Sequence, residues 1–224
     1  MGMTFNQWAA RIANRTDLTG RLTHLTKPLA GVELTDKSFE EINRLAVDSL
    51  LKILSDQKII GSDRTGYIVG TDRAVCFQDT PIYGLIQNVE HEKHRRITNP
   101  KEKIRYCGVG LSFIKPSIYH NHGGRPVFYE KTEIAKEKLS ASEWWRIVDL
   151  EYIGTENNDW NWDIVDWTHE REWRVKGDMS FTLENGNVHI VLYDPLCVTE
   201  FLTKCSPHIL KNIHGITTLT SVLM

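Results

Sequence analysis

Apolar residues recur at helical spacing in some stretches and alternate in others, and this pattern sets the expected elements. Phe5, Trp8 and Ile12 share a helical face behind Thr4 and Gln7, which have capping-box spacing, so a short N-terminal helix is expected. Asn14 to Gly20 is turn-rich. Arg21 to Thr26 then alternates as a strand, without saying which face is apolar. Ser38 and Glu41 repeat the capping box and open the clearest amphipathic helix, carried by Phe39, Ile42, Leu45, Ala46, Leu50, Ile53 and Leu54 and ending near Lys58. Gly61 to Gly70 reads as a loop. Ala74 to Phe77 reads as a buried strand, followed by a helix with Thr80 as N-cap and Pro81 at its first position. A strand end feeding a helix N-terminus is a place where backbone N–H groups can meet an anion.

Further along, Arg105 to Phe113 reads as a strand weakened by its glycines, Lys115 to Tyr119 as a helical turn, and Pro126 to Tyr129 as a buried strand. Ser140 and Glu143 form a third capping box, predicting a helix through Trp144, Trp145, Ile147, Val148 and Leu150. Gly154 to Asp166 reads as a long polar loop carrying Trp160 and Trp162. Glu172 to Val175 is a strand with Trp173 and Val175 on one face and Glu172 and Arg174 on the other. Phe181 to Glu184 and Asn187 to Tyr193 predict a hairpin around Asn185-Gly186. Ser206-Pro207 starts a last helix that Gly215 ends, and Thr217 to Leu223 suits a last strand. Helices gather early and strands late, which predicts an α+β fold.

The 224 residues suit a single domain, 1–224, in which 1–20 is a helical appendage and 21–224 the core. A net charge of −2 gives no global attraction to nucleic acid, so any basic surface is local. The segment from Glu90 to Lys103 is the candidate, read as a solvated loop with a phosphate-contacting patch (Lys93 to Lys103) as the alternative. Cys76, Cys107, Cys197 and Cys205 make no CxxC pair, which points to reduced thiols in a cytoplasmic protein. Neither a secretory pattern nor a bilayer-length apolar run is expected from the chain.

Familiar motifs drop out. His120-Asn121-His122 lacks the hairpin-and-helix spacing of a metal-dependent nuclease, and His91-Glu92-Lys93-His94 lacks the i, i+4 spacing of a zinc helix. Gly108-Val109-Gly110 has no third glycine, and no Gly-x-Ser-x-Gly elbow occurs. A scattered set remains: His24, Arg73, Asp79, Tyr129 and Glu172. Each alone is ordinary. Together their order resembles that of NAD-cleaving transferases. Breaking the nicotinamide–ribose bond develops oxocarbenium character. That chemistry asks for a carboxylate at the ribose and an aromatic face against nicotinamide. Glu172 would be the carboxylate, kept ionised by Arg171 and Arg174.

Leu22-Thr-His24-Leu-Thr-Lys27, Leu51-Lys-Ile-Leu54, Ala74-Val-Cys-Phe77-Gln-Asp79-Thr-Pro81, Tyr106 with Gly108-Val-Gly110 and Phe113-Ile-Lys115, Gly123-Gly-Arg-Pro126-Val, and Glu170-Arg-Glu172-Trp-Arg174 resemble the AbiGi abortive phage-infection family, in order from about Arg21 to Val175. That resemblance implies a phage-defence setting, often as half of a toxin–antitoxin-like pair. The layout is also similar to DNA-targeting ADP-ribosyltransferase toxins, with Phe77 where those enzymes often carry tyrosine. This second likeness implies split mixed or antiparallel sheets with flanking helices and NAD as substrate. By it, His24, Arg73 and Glu172 match catalytic and nucleotide-contacting positions, and Thr26, Tyr83 and Tyr129 line the NAD site. The acceptor of ADP-ribose would be nucleic acid or protein. Two other readings stand beside it: a non-catalytic antitoxin or sensor with Trp160 and Trp162 as anchors, and a metal-dependent nuclease using Asp79, Glu170 and Glu172.

Overall fold

The computed structural model describes residues 2–154, 162–184 and 187–222. In chain order the helices are α1 (Phe5–Ala13), α2 (Phe39–Asp56), α3 (Ile82–Thr98), α4 (Lys115–Asn121), α5 (Thr132–Lys138), α6 (Pro195–Lys204) and α7 (Pro207–Asn212). The strands are β1 (Arg21–Leu25), β2 (Lys58–Ile59), β3 (Ala74–Gln78), β4 (Gly110–Ile114), β5 (Arg125–Pro126), β6 (Phe128–Tyr129), β7 (Ile147–Val148), β8 (Glu151–Gly154), β9 (Trp162–Val165), β10 (Glu172–Lys176), β11 (Met179–Ser180), β12 (His189–Leu192) and β13 (Gly215–Thr218). This is a mixed α/β architecture, with helices interspersed among strands along the whole chain. The chain divides into two compact units. The first comprises Met1–Lys58, Thr80–Lys115 and Ser180–Met224, the second Ile59–Asp79 and Pro116–Met179.

In the first unit, β1 and β12 flank β4 antiparallel, and β13 joins β12 in parallel. A parallel pair needs a crossover, which α6 and α7 supply. Helix α2 begins at the expected capping box: Ser38 Oγ accepts from the Glu41 N–H while Glu41 accepts from the Ser38 N–H. It packs on α6, with Ile42, Ala46, Val47, Leu50, Leu54 and Phe201 all fully buried. Asn43 is buried within this apolar face, because its side chain donates to the Phe39 carbonyl and accepts from the Gly108 N–H. The satisfied amide removes the usual cost of burying it.

The segment from Glu90 to Lys103 departs from the loop expected of it. As far as Thr98 it is the second half of α3. Glu92 and Arg96 lie on the same buried face as Leu85 and Val89, so charged residues interrupt the apolar stripe that would have announced a helix. Glu92 accepts from the side chains of Arg95 and Arg105 and from the Arg105 backbone, and Arg96 donates to the carbonyls of Leu34 and Thr35. The helix starts at Ile82 with Pro81 as N-cap and no side-chain cap, one position later than expected, because the Pro81 backbone is still extended.

In the second unit, β10 lies between β3 and β5, antiparallel to both. Glu172 opposes Gln78, Arg174 opposes Cys76, and Lys176 opposes Ala74. The expected strand from Pro126 to Tyr129 breaks at Val127, whose N–H donates to the Glu172 carbonyl, and Phe128 is exposed. The third capping box does not start an α-helix. Ala141–Arg146 is a 3-10 helix without a side-chain cap. It stops because Ile147–Val148 pairs in parallel with β6. Of the expected polar loop after Gly154, the described flanks form a hairpin, β8 with β9. Trp160 and the Asn185-Gly186 turn lie outside the described residues. Phe181 to Glu184 is irregular, since the Phe181 and Leu183 N–H groups go to the backbone and side chain of Gln57, and β12 pairs with β4 and β13 instead.

Candidate functional site

The site begins with β10. Alternation sends Glu172 and Arg174 to one face of β10, which pairs with β3 on one side and β5 on the other. Glu172 is 7% exposed and Arg174 3%. The guanidinium grips the carboxylate with both arms: Arg174 Nε donates to Glu172 Oε1 at 2.8 Å, and Nη2 to Oε2 at 3.2 Å. Its Nη1 donates to the carbonyls of Trp145 and Ile147 at 2.7 and 3.0 Å. These contacts satisfy most of the donor fork, and that is what makes a buried cation tolerable here. Burial works against the Arg174 charge, but Glu172 outweighs it and holds the guanidinium firmly protonated.

Tyr129 closes the near end of this pair. Its hydroxyl accepts the Glu172 backbone N–H at 2.7 Å, which brings its ring beside the start of β10. Burial pushes the phenol up, and the negative charges of Glu172 and Glu170 add to the effect. Cys76, opposite Arg174 in the register, bonds to the Glu172 carboxylate. Burial first, then the Glu172 charge, push its thiol well above the ordinary range, so it is a neutral donor and not a nucleophile. Glu170 stands in the 3-10 turn before the strand, and Arg171 follows with a left-handed backbone, φ 47°. The start of β10 is thus where the Tyr129 hydroxyl meets the Glu172 backbone, next to a carboxylate that Arg174 holds.

The sequence-derived candidates fall in both compact units. Tyr129 and Glu172 are in contact. Arg73 lies in the same unit but precedes β3 by one residue, at the Lys176 end of the ladder, whereas Glu172 pairs with Gln78 at the other end. At strand rise the two are about 16 Å apart along the sheet. Arg73 is exposed and its Nε donates to the Gly61 carbonyl at 2.8 Å. His24, Thr26 and Tyr83 belong to the first unit. His24 is half-buried opposite Leu111, Thr26 is buried with its backbone tied to Val109 and Cys107, and Tyr83 is 63% exposed on α3. Arg171, expected to help Arg174 hold the carboxylate, is exposed, and its carbonyl accepts from the Asp79 N–H.

No family model, curated protein or solved structure matches the chain. The site therefore rests on its own geometry. Among the described residues no three His, Cys, Asp or Glu side chains converge to hold a metal ion, so Asp79, Glu170 and Glu172 do not form a metal-binding cluster. The sequence reading missed Cys76, and also Trp145 and Ile147 as the sources of the carbonyls that bind Arg174. Alternation within Ala74–Gln78 already put Cys76 and Gln78 on one face. The pairing of β3 with β10, which no local pattern announces, brings that face to Glu172.

Proposed function

We propose that the chain is an ADP-ribosyltransferase-like enzyme that cleaves NAD, as substrate, and transfers ADP-ribose to nucleic acid or protein in phage defence. The observation that carries this reading is the buried Glu172 carboxylate on β10, with the Tyr129 hydroxyl bonded to the Glu172 N–H. Negative charge held in place beside an aromatic face is what a developing oxocarbenium and a departing nicotinamide require. Glu172 is fixed by Arg174 and by its place in a strand, so little reorganisation is needed as charge develops. Tyr129, not the exposed Tyr83, is the aromatic partner in this scheme. Arg73 stands too far along the ladder to act at the same centre.

A second reading has its own support. Arg174 occupies both oxygens of Glu172, as in a purely structural ion pair, which suits a non-catalytic antitoxin or sensor of an abortive-infection pair. One experiment separates them: incubate the purified chain with NAD and follow free nicotinamide by chromatography. The enzyme predicts release that disappears in Glu172→Gln and falls in Tyr129→Ala, in variants whose circular dichroism is unchanged. Thermal stabilisation by NAD without nicotinamide release selects the binding module.

A further inference from the structure

The β8–β9 hairpin carries a surface that the NAD reading leaves unused. Its register pairs Glu151 with Val165, Tyr152 with Ile164, Ile153 with Asp163 and Gly154 with Trp162. Opposed residues share a face, so Tyr152, Ile164 and Trp162 stand together on one side with Gly154. They are 54%, 52% and 50% exposed, respectively, and Ile153 on the other side is 47% exposed. A Cβ on Gly154 would come within 3.1 Å of the Trp162 ring, so the glycine lets the indole settle against the strand while keeping a free face. Among the described residues no third strand joins this pair, so both of its strands are edge strands, the kind to which a further strand can add. Exposed apolar side chains gathered on one face are a common feature of interaction sites.

Charge selects the occupant. From residue 151 to residue 170 the sequence has no Lys or Arg, but it has Asp or Glu at 151, 156, 159, 163, 166 and 170. Asp166 accepts from the hydroxyls of Tyr152 and Thr168 and from the Thr168 N–H, which hold its carboxyl down to about 2, so it is an anion at any physiological pH. Glu151 already receives a cation, Lys131. An aromatic, anionic strand pair complements guanidinium and ammonium groups, which gain from both the carboxylates and the ring faces. It repels nucleic-acid phosphate and anionic lipid, and its own sign disfavours a second copy packed hairpin to hairpin.

We propose that the β8–β9 hairpin is the docking edge for an extended, Lys- and Arg-rich segment of a partner protein, which adds to it as a strand. The partner's backbone pairs with an edge strand, and its alternate side chains meet Tyr152, Trp162 and Ile164. The proposal holds whether or not Glu172 acts on NAD.

The test uses the whole chain and fluorescein-labelled synthetic peptides that alternate Arg with Val or Glu with Val, read by anisotropy. The Arg–Val peptide should bind and the Glu–Val peptide should not. Trp162→Ala with Ile164→Ala should weaken binding about tenfold or more. Asp163→Lys, which leaves the apolar face intact, should weaken it through charge alone. Equal binding of both peptides, or full binding by these variants, overturns the proposal. So does a concentration-dependent dimer in sedimentation that Trp162→Ala abolishes, which would assign the face to a second copy. Duplex DNA that competes with the peptide for the wild-type chain would likewise overturn it.

Discussion

Glu172 and Arg174 are two positions apart on one strand, and their burial sets what each can tolerate. Arg174→Met should cost about 3–5 kcal/mol in urea unfolding, because it leaves the Glu172 carboxylate buried without its cation. Replacing both residues with Met should recover much of that loss, since apolar side chains of similar volume need no compensation. A double variant as unstable as the single one would show that the pair is not what the strand depends on. Cys76 offers a chemical check on the same cluster. Its thiol, partly buried and pushed well above the ordinary range, should react far more slowly with a disulfide reagent at pH 8 in the native protein than after denaturation. The strand alternation named Glu172 and Arg174 as face-mates from residues alone. That their face is an interior one, closed by the Trp145 and Ile147 carbonyls, was not legible, because those carbonyls come from a segment that local spacing reads as an α-helix.

Among the elements, caps were readable where nothing distant competed. Thr4 with Gln7 and Ser38 with Glu41 both close reciprocal capping boxes. Ser38→Ala should accordingly lower stability by about 1 kcal/mol. Ser140 with Glu143 has the same spacing, but Ile147–Val148 is drawn into a strand with β6, and the helix ends as a 3-10 turn. Tertiary pairing overrode local preference there. The glycine that weakens β4 on paper has a packing reason: a Cβ at Gly110 would lie 2.1 Å from the His24 carbonyl oxygen. Gly110→Ala should therefore force β1 and β4 apart, and hydrogen exchange of the Leu22 to His24 amides should accelerate more than that of Val75 and Phe77.

At the scale of the molecule, pH reports on a half-buried histidine. His189 on β12 bonds Thr217 at 2.8 Å, and burial first, then Arg21 and His214, bring its pKa down to about 4. The unfolded chain takes up this proton near the ordinary 6.5, while the native state refuses it until about 4. The unfolded state binds more protons across that window, so stability falls as pH drops from 6.5 toward 4. His189→Gln should flatten this part of the pH dependence relative to wild type, measured by urea midpoints. An unchanged slope would remove His189 as its source.

Local signals along the chain were enough for α1 and α2 with their caps, β1, β3, β10, the start of α7, and the alternation that aligns Glu172 with Arg174. These follow from side-chain period and from hydrogen bonds spanning three or four residues, which a chain specifies without reference to distant parts. Tertiary structure decided the rest. Only the pairing of β3 with β10 brings Cys76 to Glu172, only the β8–β9 register gathers Tyr152, Trp162 and Ile164, and only distant partners make a buried helix of the charged segment around Glu92. Each depends on which strand finds which, and that choice comes from burial summed over the whole chain.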